Sequence, residues 1–180
     1  MTALKTIYLT GYKSFELGVF TDKDPKIQVV KNALKNHLSQ LVEEGLEWVI
    51  AAGNLGVELW GAEVVFELQA TYPELKLALI FPFAEFGSQW NEANQAQLAK
   101  IKAQAAYVNT TSQRPYQNPQ QLKNHTQFLL THTDGALLVY DDEFEGKTKF
   151  FLKDAQDFAE KNEYFVTKIT MDDLQNTINE

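Results

Sequence analysis

Few side chains in this sequence are spaced so that they could do chemistry together, and those few fall in short segments between apolar runs. The clearest segment is Gly53-Asn54-Leu55-Gly56, which sets two glycines between a strand-like run and a helical one, with Glu58 two residues further on. Exposed backbone N–H groups in such a turn, together with the positive end of the helix that follows, attract a phosphate. The same glycines serve equally well as plain turn residues. Glu58, about one turn inside that helix, has the reach to bind a ribose hydroxyl or take a proton, or simply to complement the helix dipole. Trp60 lies close by as a base-stacking candidate, although it belongs to the apolar set of its helix and the core is the favoured place for it.

Other chemistries lack their residues. The glycine segment is neither the three-glycine dinucleotide pattern nor a phosphate loop ending in Gly-Lys-Ser/Thr, so neither NAD chemistry nor nucleoside triphosphate hydrolysis is indicated. There is no cysteine, which removes disulfides, thiolate metal sites and cysteine nucleophiles. His37, His125 and His132 have no metal-ligand spacing, and no serine sits in a nucleophile-elbow context. Asp141-Asp142-Glu143 reads as a solvated acidic loop in preference to a divalent-ion site. Neither a metal nor NAD is therefore expected. With 24 acidic against 16 basic side chains the net charge is −8, which opposes general affinity for nucleic-acid phosphates.

The elements that must position these residues follow from hydropathy. Of the 180 residues, 44% are hydrophobic, enough for one globular domain with a sizeable core. Short apolar or β-branched runs alternate with stretches of helical period, the signature of a doubly wound, mostly parallel sheet with helices on both faces. Strands are predicted at Thr6-Thr10, Trp48-Ala52, Lys76-Phe81, Tyr107-Asn109, Gly135-Tyr140 and Phe165-Ile169. Helices are predicted over Asp24 to Gly45, Leu55 to Thr71, Ser88 to Ala105, Pro119 to Thr131 and Thr148 to Lys161, with a short one capped at Thr170. No leader is read at Met1-Thr2-Ala3-Leu4-Lys5, and the longest apolar run, Leu77 to Ala84, is far below the roughly 20 residues of a membrane helix. A soluble, cytoplasmic chain is expected.

Ligands of open parallel sheets bind outside the carboxyl ends of the strands, where strand order reverses. Placing that reversal between the first and fourth strands predicts a pocket lined by Gly11, Tyr12, Gly53, Asn54, Gly56, Glu58, Thr110, Thr111 and Arg114. An acidic loop is an equal alternative partner for Arg114.

The motifs Thr10-Gly11-Tyr12-Lys13, Phe15-Glu16-Leu17-Gly18, Glu44-Gly45-Leu46-Glu47-Trp48, Gly56-Val57-Glu58-Leu59-Trp60 and Arg114-Pro115-Tyr116 resemble the YpsA family of Firmicutes. The later segments Leu137-Leu138-Val139-Tyr140-Asp141 and Ile169-Thr170-Met171-Asp172-Asp173-Leu174 match as well, so the resemblance runs end to end. It implies one SLOG-type Rossmann-like domain over residues 1–180, related to DprA and the Lonely Guy hydrolases. It also implies a nucleotide or nucleotide-derived ligand at Gly53, Gly56 and Glu58, with Trp60 nearby. The family has been linked to cell division and stress. Thr126, ahead of Gln127-Phe128, stands where family members tend to carry an asparagine. The glycine loop is shorter than that of DprA, and the paired glycines and acids of the Lonely Guy proteins are missing.

Three functions compete. The preferred one is a regulatory domain that senses a nucleotide derivative. The second is a hydrolase of an N-glycosidic bond with Glu58 as acid or base. The third, DprA-like binding of single-stranded DNA, is disfavoured by the net charge. The residues do not name a protein partner.

Overall fold

The alternating pattern resolves into six strands and six α-helices among residues 4–179, which a computed structural model of the chain describes. The reading of Met1 to Ala3 lies outside those residues. The strands are β1 (Thr6–Gly11), β2 (Trp48–Ala51), β3 (Lys76–Phe81), β4 (Tyr107–Thr110), β5 (Gly135–Val139) and β6 (Phe165–Ile169). The helices are α1 (Pro25–Glu43), α2 (Val57–Leu68), α3 (Glu92–Gln104), α4 (Gln120–Thr131), α5 (Thr148–Lys161) and α6 (Met171–Ile178).

All strands pair in parallel in one open sheet of order β4-β3-β2-β1-β5-β6. The central strands are buried along nearly their whole length, as strands covered on both faces must be, and β5 is apolar and buried at every residue. At one edge β4 carries the polar sequence Tyr-Val-Asn-Thr and is mostly exposed. Right-handed crossovers lay α1, α2 and α3 on one face, where α6 packs against α1, while α4 and α5 share the opposite face.

Local signals fix the helix ends. Asp24 caps α1 by accepting the Lys26 N–H (2.9 Å), with Pro25 in the first turn. Asn91 caps α3 and accepts the Asn94 N–H at 2.9 Å. Helix α3 therefore starts later than Ser88, because the Ser88–Trp90 segment is taken up by turns closed on Glu85 and Gly87. Helix α2 is wedged between the sheet and its neighbours α1 and α3, which accounts for apolar residues on more than one of its sides. No helix among the described residues is long and apolar enough to cross a membrane.

The strand order corrects one expectation. The reversal lies between β1 and β5, not between the first and fourth strands. Two strands separate β1 from β4, so their carboxyl ends stand about 14 Å apart at the usual inter-strand spacing.

Candidate functional site

At the end of β2 the chain leaves the sheet through Ala52 and Gly53 to Gly56, and α2 begins at Val57. Gly53 and Gly56 both hold positive φ, 93° and 101°, a region that other residues enter at a cost. Their surroundings explain the choice further. A Cβ on Gly53 would collide with the Phe81 ring, and one on Gly56 would lie 2.5 Å from Ser14 N and 2.6 Å from Tyr12 O. The glycines thus let the loop pack tightly against the ends of β1 and β3.

Glu58 is the organiser of this loop. It is 2% exposed, and its carboxylate turns inward to accept four hydrogen bonds. The donors are the Ala52 N–H, the Asn54 amide (2.8 Å), the Thr10 hydroxyl (2.9 Å) and the Tyr8 hydroxyl (3.2 Å). Burial, reinforced by the neighbouring Glu58 carboxylate, pushes the Tyr8 hydroxyl well above the usual tyrosine range, so it stays a donor. Glu58 has no cationic partner among the described residues. The four donors and the positive end of α2 compensate its charge.

The first helical N–H, from Val57, donates to Tyr12 O at 3.1 Å, and the helix closes on itself with Trp60 N to Gly56 O at 3.0 Å. Among the described residues the N–H groups of Asn54, Leu55, Gly56, Glu58 and Leu59 find no protein acceptor. Uncommitted donors at a helix start, on a loop fixed by a buried carboxylate, are the elements of an anion site. Trp60 is 5% exposed and lies in the core.

Where strand order reverses, the protein fills its own crevice. Tyr12 is buried, donates its hydroxyl to Phe144 O (2.8 Å) and accepts the Asp141 N–H (2.9 Å). Burial raises this hydroxyl to about 12. Glu16, in a short 3-10 turn at Ser14–Leu17, accepts the N–H groups of Lys13 (2.7 Å) and Lys147 (2.9 Å). Thr148 Oγ1 donates to Gly11 O at 2.8 Å. Gly11 and Tyr12 therefore join the β1 and β5 loops, while the opposite side of the β1 loop meets the glycine loop.

Thr110, Thr111 and Arg114 stand at the far edge of the sheet, after β4. The Thr110 hydroxyl lies 3.1 Å from Phe81 O, and the Thr111 N–H donates to the same carbonyl at 2.9 Å. Phe81 thus connects this loop to Gly53. Thr110 and Thr111 also border a crevice of about 370 Å³ with Ile80, Tyr107, Asn109, Asn124 and Phe128. Arg114 is exposed and has no acidic partner among the described residues, so the ion pair with an acidic loop does not form.

Remaining polar residues have structural partners. His125 Nε2 lies 2.7 Å from Ile80 O, and burial lowers its pKa to about 4, leaving a neutral ring that donates to that carbonyl. His132 stacks on Phe128 at 3.9 Å, and His37 is half-buried on α1. Asp141 accepts the Glu143 and Met171 N–H groups, and Asp142 pairs with Lys168 at 2.6 Å. Thr126 faces a groove between α4 and α5. Gln121 had no signal in the sequence. It is 9% exposed, its Oε1 accepts the Gln117 N–H (2.6 Å) and Asn118 N–H (3.2 Å), and its amide donates toward Ser112, Arg114 and Pro115.

Comparisons with known proteins bear on the family and the fold. The YpsA family model, the "YspA SLOG family", matches residues 7–174. A "UPF0398 protein" of Enterococcus faecalis is 56% identical over 178 residues, 99% of each chain. Its counterpart in Lacticaseibacillus casei is 50% identical over 96% of this chain and 91% of its own. Among solved structures, DNA processing protein A from Helicobacter pylori, described by its single-stranded DNA binding mode, superposes with a TM-score of 0.53. That alignment has 13% identity and covers 96% of this chain and 79% of that one. At this identity the likeness is one of fold.

Proposed function

The chain belongs to the YpsA SLOG family, and from that premise we propose that it binds the phosphate-bearing end of a nucleotide or nucleotide-derived ligand at the α2 N-terminus. The observation that carries the reading is the group of N–H donors at Asn54, Leu55, Gly56, Glu58 and Leu59 without protein acceptors, held in place by the four-donor Glu58 carboxylate. A preorganised set of neutral donors at the positive end of a helix suits an anion without needing a basic surface. That agrees with a net charge of −8.

The binding is regulatory in this reading. A general acid or base must reach its substrate, whereas Glu58 is buried and both its oxygens are engaged by the protein. Glu58 acts as a positioning residue, and the hydrolase alternative lacks its acid. Single-stranded DNA binding, the property printed for the Helicobacter pylori neighbour, calls for a basic groove, which the excess of acidic residues opposes.

The test is calorimetric titration of the chain with AMP, adenosine and inorganic phosphate, repeated on Leu55→Glu, which sets a carboxylate beside the donors. AMP should bind, adenosine more weakly, and Leu55→Glu should lose the AMP signal without losing its fold. AMP and adenosine binding equally, or an unaffected Leu55→Glu, would remove the anion site.

A further inference from the structure

Beyond the glycine loop, the loops after β3 and β4 form one assembly whose role neither the family match nor the anion site explains. The Ala84 N–H donates to Arg114 O at 2.9 Å, and the Phe83 and Tyr116 rings meet edge-on at 5.4 Å. Phe86 lies 5.4 Å from both Phe81 and Phe83, and Trp90 packs on it at 5.5 Å. This cluster is continuous with the glycine loop through Phe81, yet it is not sealed. Tyr116 is 46% exposed, and Phe83, Phe86 and Trp90 are half-buried.

Two features show that these loops are held in one shape. Gln121 bonds five groups of residues 112–118 from beneath, fixing a stretch without regular structure. In the facing loop Glu85 sits at φ 63°, a left-handed conformation that costs a non-glycine residue about 1 kcal/mol or more. At the rim stands Arg114, the only arginine in the sequence, exposed and without an ionic partner among the described residues. Packing alone does not account for an aromatic face left half open with an exposed, unpaired arginine two residues before Tyr116.

We infer that the Phe83–Tyr116 face, with Arg114 at its rim, is the base-recognition half of the site: it stacks the nucleobase of a mononucleotide, and Arg114 adds one positive charge to the neutral donors that hold the phosphate. The inference rests on the anion-site reading above and deepens it. Loops two strands apart in a parallel sheet are separated by about 10 Å, the scale of one nucleotide. Stacking on an aromatic ring tolerates any base, so the site selects for a base joined to a phosphate. A single arginine on an acidic chain fits one nucleotide and not a long polyanion.

The experiment titrates AMP, adenosine, ribose 5-phosphate and a single-stranded oligothymidylate against the wild type, Tyr116→Leu, Arg114→Gln and Leu55→Glu, with thermal melts as folding controls. Both Tyr116 and Arg114 are surface residues, so the folds should persist. Tyr116→Leu should weaken AMP and adenosine by tenfold or more, in line with the usual worth of one stacked base, and leave ribose 5-phosphate unchanged. Arg114→Gln should weaken AMP and ribose 5-phosphate but not adenosine. AMP binding that is lost in Leu55→Glu and untouched by Tyr116→Leu overturns this inference and spares the anion site. Absence of AMP binding to the wild type removes both, and an oligothymidylate held more tightly than AMP by the same residues replaces the mononucleotide with DNA.

Discussion

Truncating Glu58 to alanine should destabilise the free protein strongly, because its carboxylate is the buried acceptor that ties the loop to β1. Four donors converge on it. The Ala52 N–H is fixed by the backbone and cannot turn elsewhere. The Tyr8 and Thr10 hydroxyls can rotate toward one another, which leaves one of that pair without an acceptor, and the Asn54 amide can swing toward water. Two stranded donors in a buried place, at about 1–3 kcal/mol each, put the loss near 4 kcal/mol. For a chain of this size that lowers the melting temperature by about 8–15 °C. Glu58→Gln should lose less than about 2 kcal/mol: its oxygen can face Ala52, while the hydroxyls turn to accept from its amide. The assay is urea denaturation without ligand, with the m-value checked for constancy. A Glu58→Ala protein within 1 kcal/mol of wild type that nevertheless binds no AMP would refute the reasoning, since Glu58 would then be serving the ligand directly.

Three further outcomes follow from the same geometry. Gly56→Ala should cost about 3 kcal/mol or more in denaturation experiments, because its Cβ meets the backbone of Tyr12 to Ser14 at 2.5–2.8 Å and its φ is 101°. Stability should fall as pH drops from about 6.5 toward 4: His125 takes up a proton more readily in the unfolded chain than in the fold, where its pKa is about 4. The full span is about 3 kcal/mol, and His125→Gln should flatten the slope between pH 6.5 and 5, where few carboxylates titrate. Tyr12→Phe should cost about 1–2 kcal/mol and speed amide exchange in residues 141–146 while leaving exchange in the glycine loop unchanged, since its hydroxyl holds only the β5 loop.

Element identities were legible because periodicity and caps are local: Asp24-Pro25 and Thr170 start helices in the sequence as they do in the fold. Lateral strand order was not, since an apolar run records that a strand is buried but not which neighbour buries it. A sharper signal was present in the contrast between polar Tyr107–Thr110 and wholly apolar Gly135–Val139, which suits an edge and a centre respectively. The glycine loop was legible as a turn before a helix. Its tight fit against Phe81 and Tyr12 depends on residues distant in sequence, as does the inward turn of Glu58, whose donors come from β1 and from the loop itself. Gln121 was invisible for the same reason: its partners form a loop whose shape no local pattern encodes.

The central claim is that uncommitted N–H groups at the start of α2 hold a phosphate, and amide-resolved NMR titration with AMP reads those groups directly. The largest shifts should fall on the amides of Asn54, Leu55, Gly56, Glu58 and Leu59, saturate together, and be reproduced in direction by ribose 5-phosphate but not by adenosine. Shifts confined to other amides, with these five unmoved at saturating AMP, would contradict it.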